Sequence, residues 1–181
     1  GTDVWGTTDY AKEKPLLDRT EELYGRILEA RRALPLALRR NTEVYDRVCQ
    51  VAHRLAVART VQKDEEAAAA LEREAAELLP LDPGVKAIFD LEMEFCRVQE
   101  EADAYVVDEE EWRILERNGA WGKNASTAND ATQYYYSIPA SRLELWALIE
   151  SGRLRNPVLR QFYKERDVIM EERRERIEND P

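Results

Sequence analysis

Histidine is nearly missing from this chain, and that scarcity bounds its chemistry more than any other feature of its composition. His53 stands alone among 181 residues, whereas a catalytic zinc normally draws on three protein ligands. By itself the segment is therefore not expected to hold such a metal. Cysteine is scarce as well: Cys49 and Cys96 are far apart, fit no Cys-x-x-Cys spacing, and read as small buried apolar side chains. Cationic charge is in deficit, with 27 Lys and Arg against 37 Asp and Glu and a net charge of -10. Nearly every basic stretch carries its own Glu, which argues against a nucleic-acid footprint, because phosphate binding needs clustered Lys and Arg. No apolar run reaches the ~18 residues a membrane span requires, so no span is expected. The opening Gly1-Thr2-Asp3 lacks the layout of a signal peptide, and without an initiator Met the segment reads as an excerpt of a longer protein.

Only 7 Gly and 7 Pro interrupt a chain that is 44% hydrophobic and 35% charged, a balance that predicts a helix-rich fold rather than disorder. The length suits one domain with an appendage. Apolar positions recur at spacings of three and four through Leu16, Thr20, Leu23, Ile27, Ala30 and Leu34. They recur again through Val44, Val48, Val51, Leu55 and Ala58, and through Ile88, Leu91, Phe95, Val98, Ala102 and Tyr105. Breaks fall at Pro35, at Asn41-Thr42 and at Pro80 to Gly84, where Asp82 before Pro83 reads as a helix N-cap. The expectation is an antiparallel helical hairpin or small bundle over residues 15–107. Within it, the Ala- and Glu-rich stretch from Glu65 to Leu79 has a thin apolar face and reads as a solvated arm. His53 lies between the stripe positions Val51 and Leu55, so it reads as an exposed helix histidine.

From residue 108 the pattern changes. Asp108 with Glu111 suggests a capping box for a short helix that ends at Asn118-Gly119. Ala120 to Thr127 and Thr132 to Ile138 read as two strands joined by a turn at Asn129-Asp130. Ser141 with Glu144 suggests a second capping box, for a helix closed by Ser151-Gly152. Asn156-Pro157 then opens a last helix from Val158 to about Glu178. The fold class expected is α+β and predominantly helical, an antiparallel β-hairpin packed with helices and carrying a long helical insertion. The divisions expected are a segment 1–14, the helical insertion 15–107 and an α+β portion 108–181.

The last helix holds the residues of chemical interest. Continuing its stripe of Val158, Phe162 and Ile169 by threes and fours brings in Glu165 and Glu172, seven apart and therefore on one face. If that face is buried, the carboxylates need a partner or a metal. The alternative for Glu172 is an ordinary surface ion pair with Arg176. Glu165 has no such partner, since Gln161 and Ile169 occupy the positions four before and four after it. Seven residues rise about 10.5 Å, and Zn–O bonds are about 2.0 to 2.2 Å, so both can hardly bind one zinc directly. One would bind and the other would support it.

The run from Asn156 to Arg174, with its Glu-x6-Glu spacing and Arg166-Asp167-Val168 after the first Glu, resembles the helix downstream of the inverted zinc motif in bacterial insulinase (pitrilysin) family metallopeptidases. The likeness extends over Gly119 to Thr127, Asn129 to Thr132, Tyr134 to Pro139 and Leu143 to Pro157, and to Gly1-Thr2 and Glu13 to Asp18. Residues of about 35–80 match nothing in that pattern. The resemblance implies a partial peptidase domain in which Glu172 is the third protein ligand of a zinc ion and Glu165 its supporting carboxylate. It implies that Asn124, Ala125, Ser126 and Thr127 form the strand that takes a peptide substrate by main-chain hydrogen bonds. Ser126 stands where relatives carry an aromatic residue. Gly1-Thr2 resembles the segment directly after the catalytic motif.

The His-x-x-Glu-His motif itself, which supplies two zinc ligands and the general base, is absent. The reading is thus an incomplete zinc endopeptidase, inactive alone, with no catalytic residue in the chain and no zinc retained by it. Its partners would be a peptide substrate and the remaining peptidase domains. Two alternatives stay open: a non-catalytic partner subunit of the same family, and a free-standing helical interaction module. The resemblance points to a bacterial source and leaves the compartment open, the cell envelope or periplasm included. A partial sheet predicts association or marginal stability in isolation.

Overall fold

The computed structural model describes residues 1–173, without the side chains of Thr42, Leu81, Asp167, Met170 and Glu171. The described residues are predominantly helical with one two-stranded antiparallel sheet. The chain forms two compact units, residues 11–104 and a discontinuous unit of residues 1–10 with those from 105 onward.

In the first unit, α1 (Tyr10–Ala33), the short α2 (Leu36–Arg40), α3 (Thr42–Val57), α4 (Glu65–Leu78) and α5 (Pro83–Asp103) follow one another. The apolar stripes bury as their spacing predicts. Leu23 and Ile27 of α1, Val48, Val51 and Leu55 of α3, and Ile88, Phe95 and Val98 of α5 are all buried. The Asp82 cap forms as predicted, its Oδ1 accepting from Gly84 N at 2.7 Å, and at the Asn41-Thr42 break Asn41 Oδ1 accepts from Val44 N and caps α3. α1 starts earlier than expected and carries Pro15 inside it. A proline there costs one backbone hydrogen bond near the helix start, while its φ is already helical.

Helix α4 corrects the expectation of a solvated arm. Ala68, Leu71, Ala75 and Leu78 are buried in the same core cluster as Val48, Val51, Leu55 and Ile88. Small alanine side chains let the helix come close to its neighbours, so a thin apolar face suffices for packing. Asp64 caps it, accepting from Glu66 N and Ala67 N.

In the second unit, α6 (Glu110–Arg117) leads through Gly119, at φ +88, into strand β1 (Trp121–Thr127), which pairs with β2 (Thr132–Ser137). The register runs from Thr127 opposite Thr132 to Asn124 opposite Tyr135, with an irregularity between Asn124 and Trp121, which faces Ser137. Gly122, at φ +71, lies in that irregular stretch, a backbone conformation suited to a residue without Cβ. α7 (Leu143–Arg155) and α8 (Phe162–Arg173) complete the unit. Its core gathers Trp5, Leu115, Ala120 and Ile149, with Trp112, Tyr136, Ile138 and Leu145 packed against them.

Neither predicted capping box forms. α6 has Glu109 at its N-cap with no side-chain cap, and Glu111 pairs instead with Arg153. α7 begins after a single 3-10 turn and likewise lacks a side-chain cap. It also runs past Ser151-Gly152 to Arg155. Gly152 is needed for packing rather than for stopping the helix: a Cβ there would come within 2.5 Å of the Trp5 ring. No helix of the described residues is long and apolar enough to cross a membrane.

Candidate functional site

The last helix is shorter at its start than predicted. Residues from Val158 to Gln161 form an irregular lead-in, and α8 begins at Phe162. Its stripe also faces differently from the expectation. Phe162 is 49% exposed and Ile169 63%, and Glu165 and Glu172 are both exposed, while Val158 is half-buried. The side chain that packs inward is Tyr163, one position round the helix and 6% exposed. The burial of Tyr163 and the exposure of Phe162, Glu165, Ile169 and Glu172 put the covered side of α8 away from the predicted face. Both carboxylates are therefore solvated in this chain, and burial forces no partner on them. The predicted pairing of Glu172 with Arg176 lies outside the described residues.

Glu165 lies at a cleft of about 410 Å³ lined by Gly1, Gly6, Asp108, Arg160 and Phe162 among others. The wall on one side is the loop of residues 1–9. That loop is fastened to the rest of the unit by backbone bonds: Val158 N donates to Gly1 O, Val107 N to Gly6 O and Thr8 N to Tyr105 O. Thr7 and Val106 form an isolated antiparallel bridge. Gly6 N donates to Glu110 Oε2 at 2.5 Å, and the Arg160 guanidinium donates to Thr2 O at 2.5 Å and Trp5 O at 3.4 Å. These fastenings join residues at least 97 positions apart, and no local pattern announces them.

The strand assigned to substrate, Asn124 to Thr127, is exposed along its whole length. Asn124 Oδ1 accepts from Ala125 N at 2.8 Å, and the hydroxyls of Thr127 and Thr132 are 3.3 Å apart across the hairpin. Among the described residues β1 pairs with β2 alone, which leaves its other edge with backbone donors and acceptors toward solvent.

Beneath the hairpin a second polar group assembles. Tyr136 packs edge-on to Trp112 with ring centroids 5.9 Å apart. Arg153 bridges Glu111 and Glu150. Burial, then the charges of Glu150 and Glu111, raise the Tyr136 phenol above its ordinary value. Burial works against the Arg153 cation, yet the Glu111 hydrogen bond and both carboxylate charges more than offset it, so Arg153 is held charged. Its setting is that of a structural ion network.

His53 is exposed, as predicted, and its Nδ1 lies 3.2 Å from Cys96 Sγ. Cys96 is buried, Cys49 is half-buried, and both are free thiols. Among the described residues no three His, Cys, Asp or Glu side chains are grouped so as to hold a metal ion. On its own, then, the described chain does not fit a zinc ion, and Glu172 could supply at most one ligand. No family model matches the chain, and neither the curated proteins nor the solved structures contain a match to it.

Proposed function

We propose that this chain is part of an insulinase-family zinc endopeptidase, the part that carries the glutamate ligand and the substrate strand but neither the zinc histidines nor the general base. Glu172 is the zinc ligand in this reading, Glu165 the carboxylate that supports it, and Asn124 to Thr127 the strand that pairs with a peptide. The observation that carries the proposal is the run Asn156 to Arg174, whose Glu-x6-Glu spacing and flanking residues resemble the family's ligand helix. Two structural features are in keeping with it. Glu165 and Glu172 lie with Phe162 and Ile169 on an exposed helix face, a combination of apolar and acidic groups suited to covering by further chain. β1 offers an open edge to an extended peptide.

In such an enzyme Glu172 would be one of the groups that hold the zinc ion, and the chemistry the metal would supply is Lewis-acid assistance to peptide hydrolysis. The residues of this chain contribute binding and orientation: β1 aligns the peptide by main-chain bonds, and Glu165 and Glu172 add negative charge that favours a cation. The test uses the full-length gene product. Metal analysis should find zinc in the natural protein, none in Glu172→Gln, and a reduced amount in Glu165→Gln. Equal zinc in all three would overturn the assignment, as would a gene with no His-x-x-Glu-His shortly before Gly1.

A further inference from the structure

Two thiols lie between α3 and α5, and each faces a partner of different chemistry. Cys49 and His53 are four positions apart on α3, and Glu92 and Cys96 are four apart on α5, so each pair shares one face of its helix. The faces meet in two rungs: Cys49 Sγ donates to Glu92 Oε1 at 3.3 Å, and His53 Nδ1 lies 3.2 Å from Cys96 Sγ. The partners make opposite demands on the thiol proton. A carboxylate repels the charge that a thiolate would carry, and burial first, then the Glu92 charge, push the Cys49 thiol well up. A neutral imidazole with its own proton on Nε2 accepts the Cys96 S–H through Nδ1, and on taking that proton becomes the cation that steadies a thiolate. The His53 ring is exposed, so it can exchange the proton with water. Exposure alone ranks the thiols the other way, since Cys49 is half-buried and Cys96 is 4% exposed.

We infer that Cys96 is an oxidation site for a small uncharged peroxide, with His53 as the base that takes its proton. The burial of Cys96 restricts the reagent to that size, and thiolate character then decides which thiol reacts. With hydrogen peroxide, the Cys96 thiolate sulfur attacks one oxygen, and the S–O bond forms as the O–O bond breaks. The sulfur is oxidised by two electrons to a sulfenic acid. The other oxygen leaves as hydroxide, which takes the proton held by His53 and becomes water. Cys49 keeps its proton and does not compete. No residue assigned to peptide hydrolysis takes part, so the inference stands apart from that reading.

The whole chain, treated with hydrogen peroxide and a dimedone-type trap for sulfenic acid, can be read at each cysteine by mass spectrometry. In the natural protein Cys96 should label before Cys49, against their order of exposure. In His53→Gln and His53→Ala the labelling of Cys96 should slow at least about tenfold, while Cys49 keeps its rate and helical circular dichroism is preserved. The sign separates a base from a cover: if His53 did no more than shield the sulfur, its truncation to Ala would speed the labelling. Cys49 labelled first, Cys96 unlabelled in the folded protein, or an unchanged or faster Cys96 rate in His53→Ala would each overturn the inference.

Discussion

Cys49 donates its thiol hydrogen to Glu92 Oε1 at 3.3 Å, next to Tyr45, whose ring lies under the Arg31 guanidinium at 3.9 Å. Burial first, and then neighbouring negative charge from Glu92 and Asp46, pushes the thiol well above its ordinary 9.0. Burial likewise raises the Tyr45 phenol above 10.0, only partly relieved by Arg31. Both folded-state values are raised, so their contribution to stability is complete below pH 9.0. It is lost as pH climbs past 9.0 and 10.0 toward the folded values, because the unfolded chain releases those protons first. The urea midpoint should therefore fall between pH 8 and pH 11 by more than in a Tyr45→Phe, Cys49→Ala double variant. Identical profiles would remove the explanation. Nothing in the spacing of Tyr45 and Cys49 along α3 shows that Glu92 faces them, since that residue comes from a different helix.

At the scale of elements, α4 and α7 show how packing assigns a role that composition leaves open. Leu71 lies 5% exposed in the core shared with α3 and α5. Leu71→Ala should cost about 2–5 kcal/mol, the range for a buried leucine, whereas a solvated arm would lose no more than about 0.5 kcal/mol. Chemical denaturation followed by circular dichroism decides between them. Gly152 tests α7 in the opposite direction. In an exposed helix Gly→Ala is stabilising, by about 1 kcal/mol, but here the added methyl meets the Trp5 ring. Gly152→Ala should therefore destabilise by about 1–3 kcal/mol through overpacking, with Trp5 fluorescence reporting the shift. A rise in stability would show that the ring moves aside freely. The same crowding explains why a Ser-Gly pair that resembles a helix stop lies inside a helix.

For the whole molecule, the division into two units makes a direct prediction. Residues 11–104 contain a contiguous core from the end of α1 through α3, α4 and α5. Expressed alone, they should fold with a cooperative thermal transition and helical circular dichroism; a broad, non-cooperative melt would show that they depend on the other unit. That other unit has a smaller core around Trp5, Leu115, Ala120 and Ile149, and it exposes Trp121, Tyr134, Leu143, Leu148, Leu154 and Leu159. So much uncovered apolar surface favours association. Sedimentation velocity of the whole chain should show oligomers growing with concentration, and a monomer throughout would contradict the expectation.

Periodicity and turn chemistry are local, and they sufficed for the helical class, the stripes of α1, α3 and α5, the Asp82 cap and the β1–β2 hairpin. A residue's neighbours within about seven positions determine those features. The Glu-x6-Glu run was legible for the same reason. Tertiary structure decided which stripe is covered. It buried the thin face of α4, left Glu165, Glu172 and their apolar neighbours in solvent, and drew Glu111 from a predicted cap to Arg153. It also brought Arg160 to Thr2, because burial and long-range hydrogen bonds depend on which surfaces meet, and residues 2 and 160 share no local pattern from which their meeting could be read.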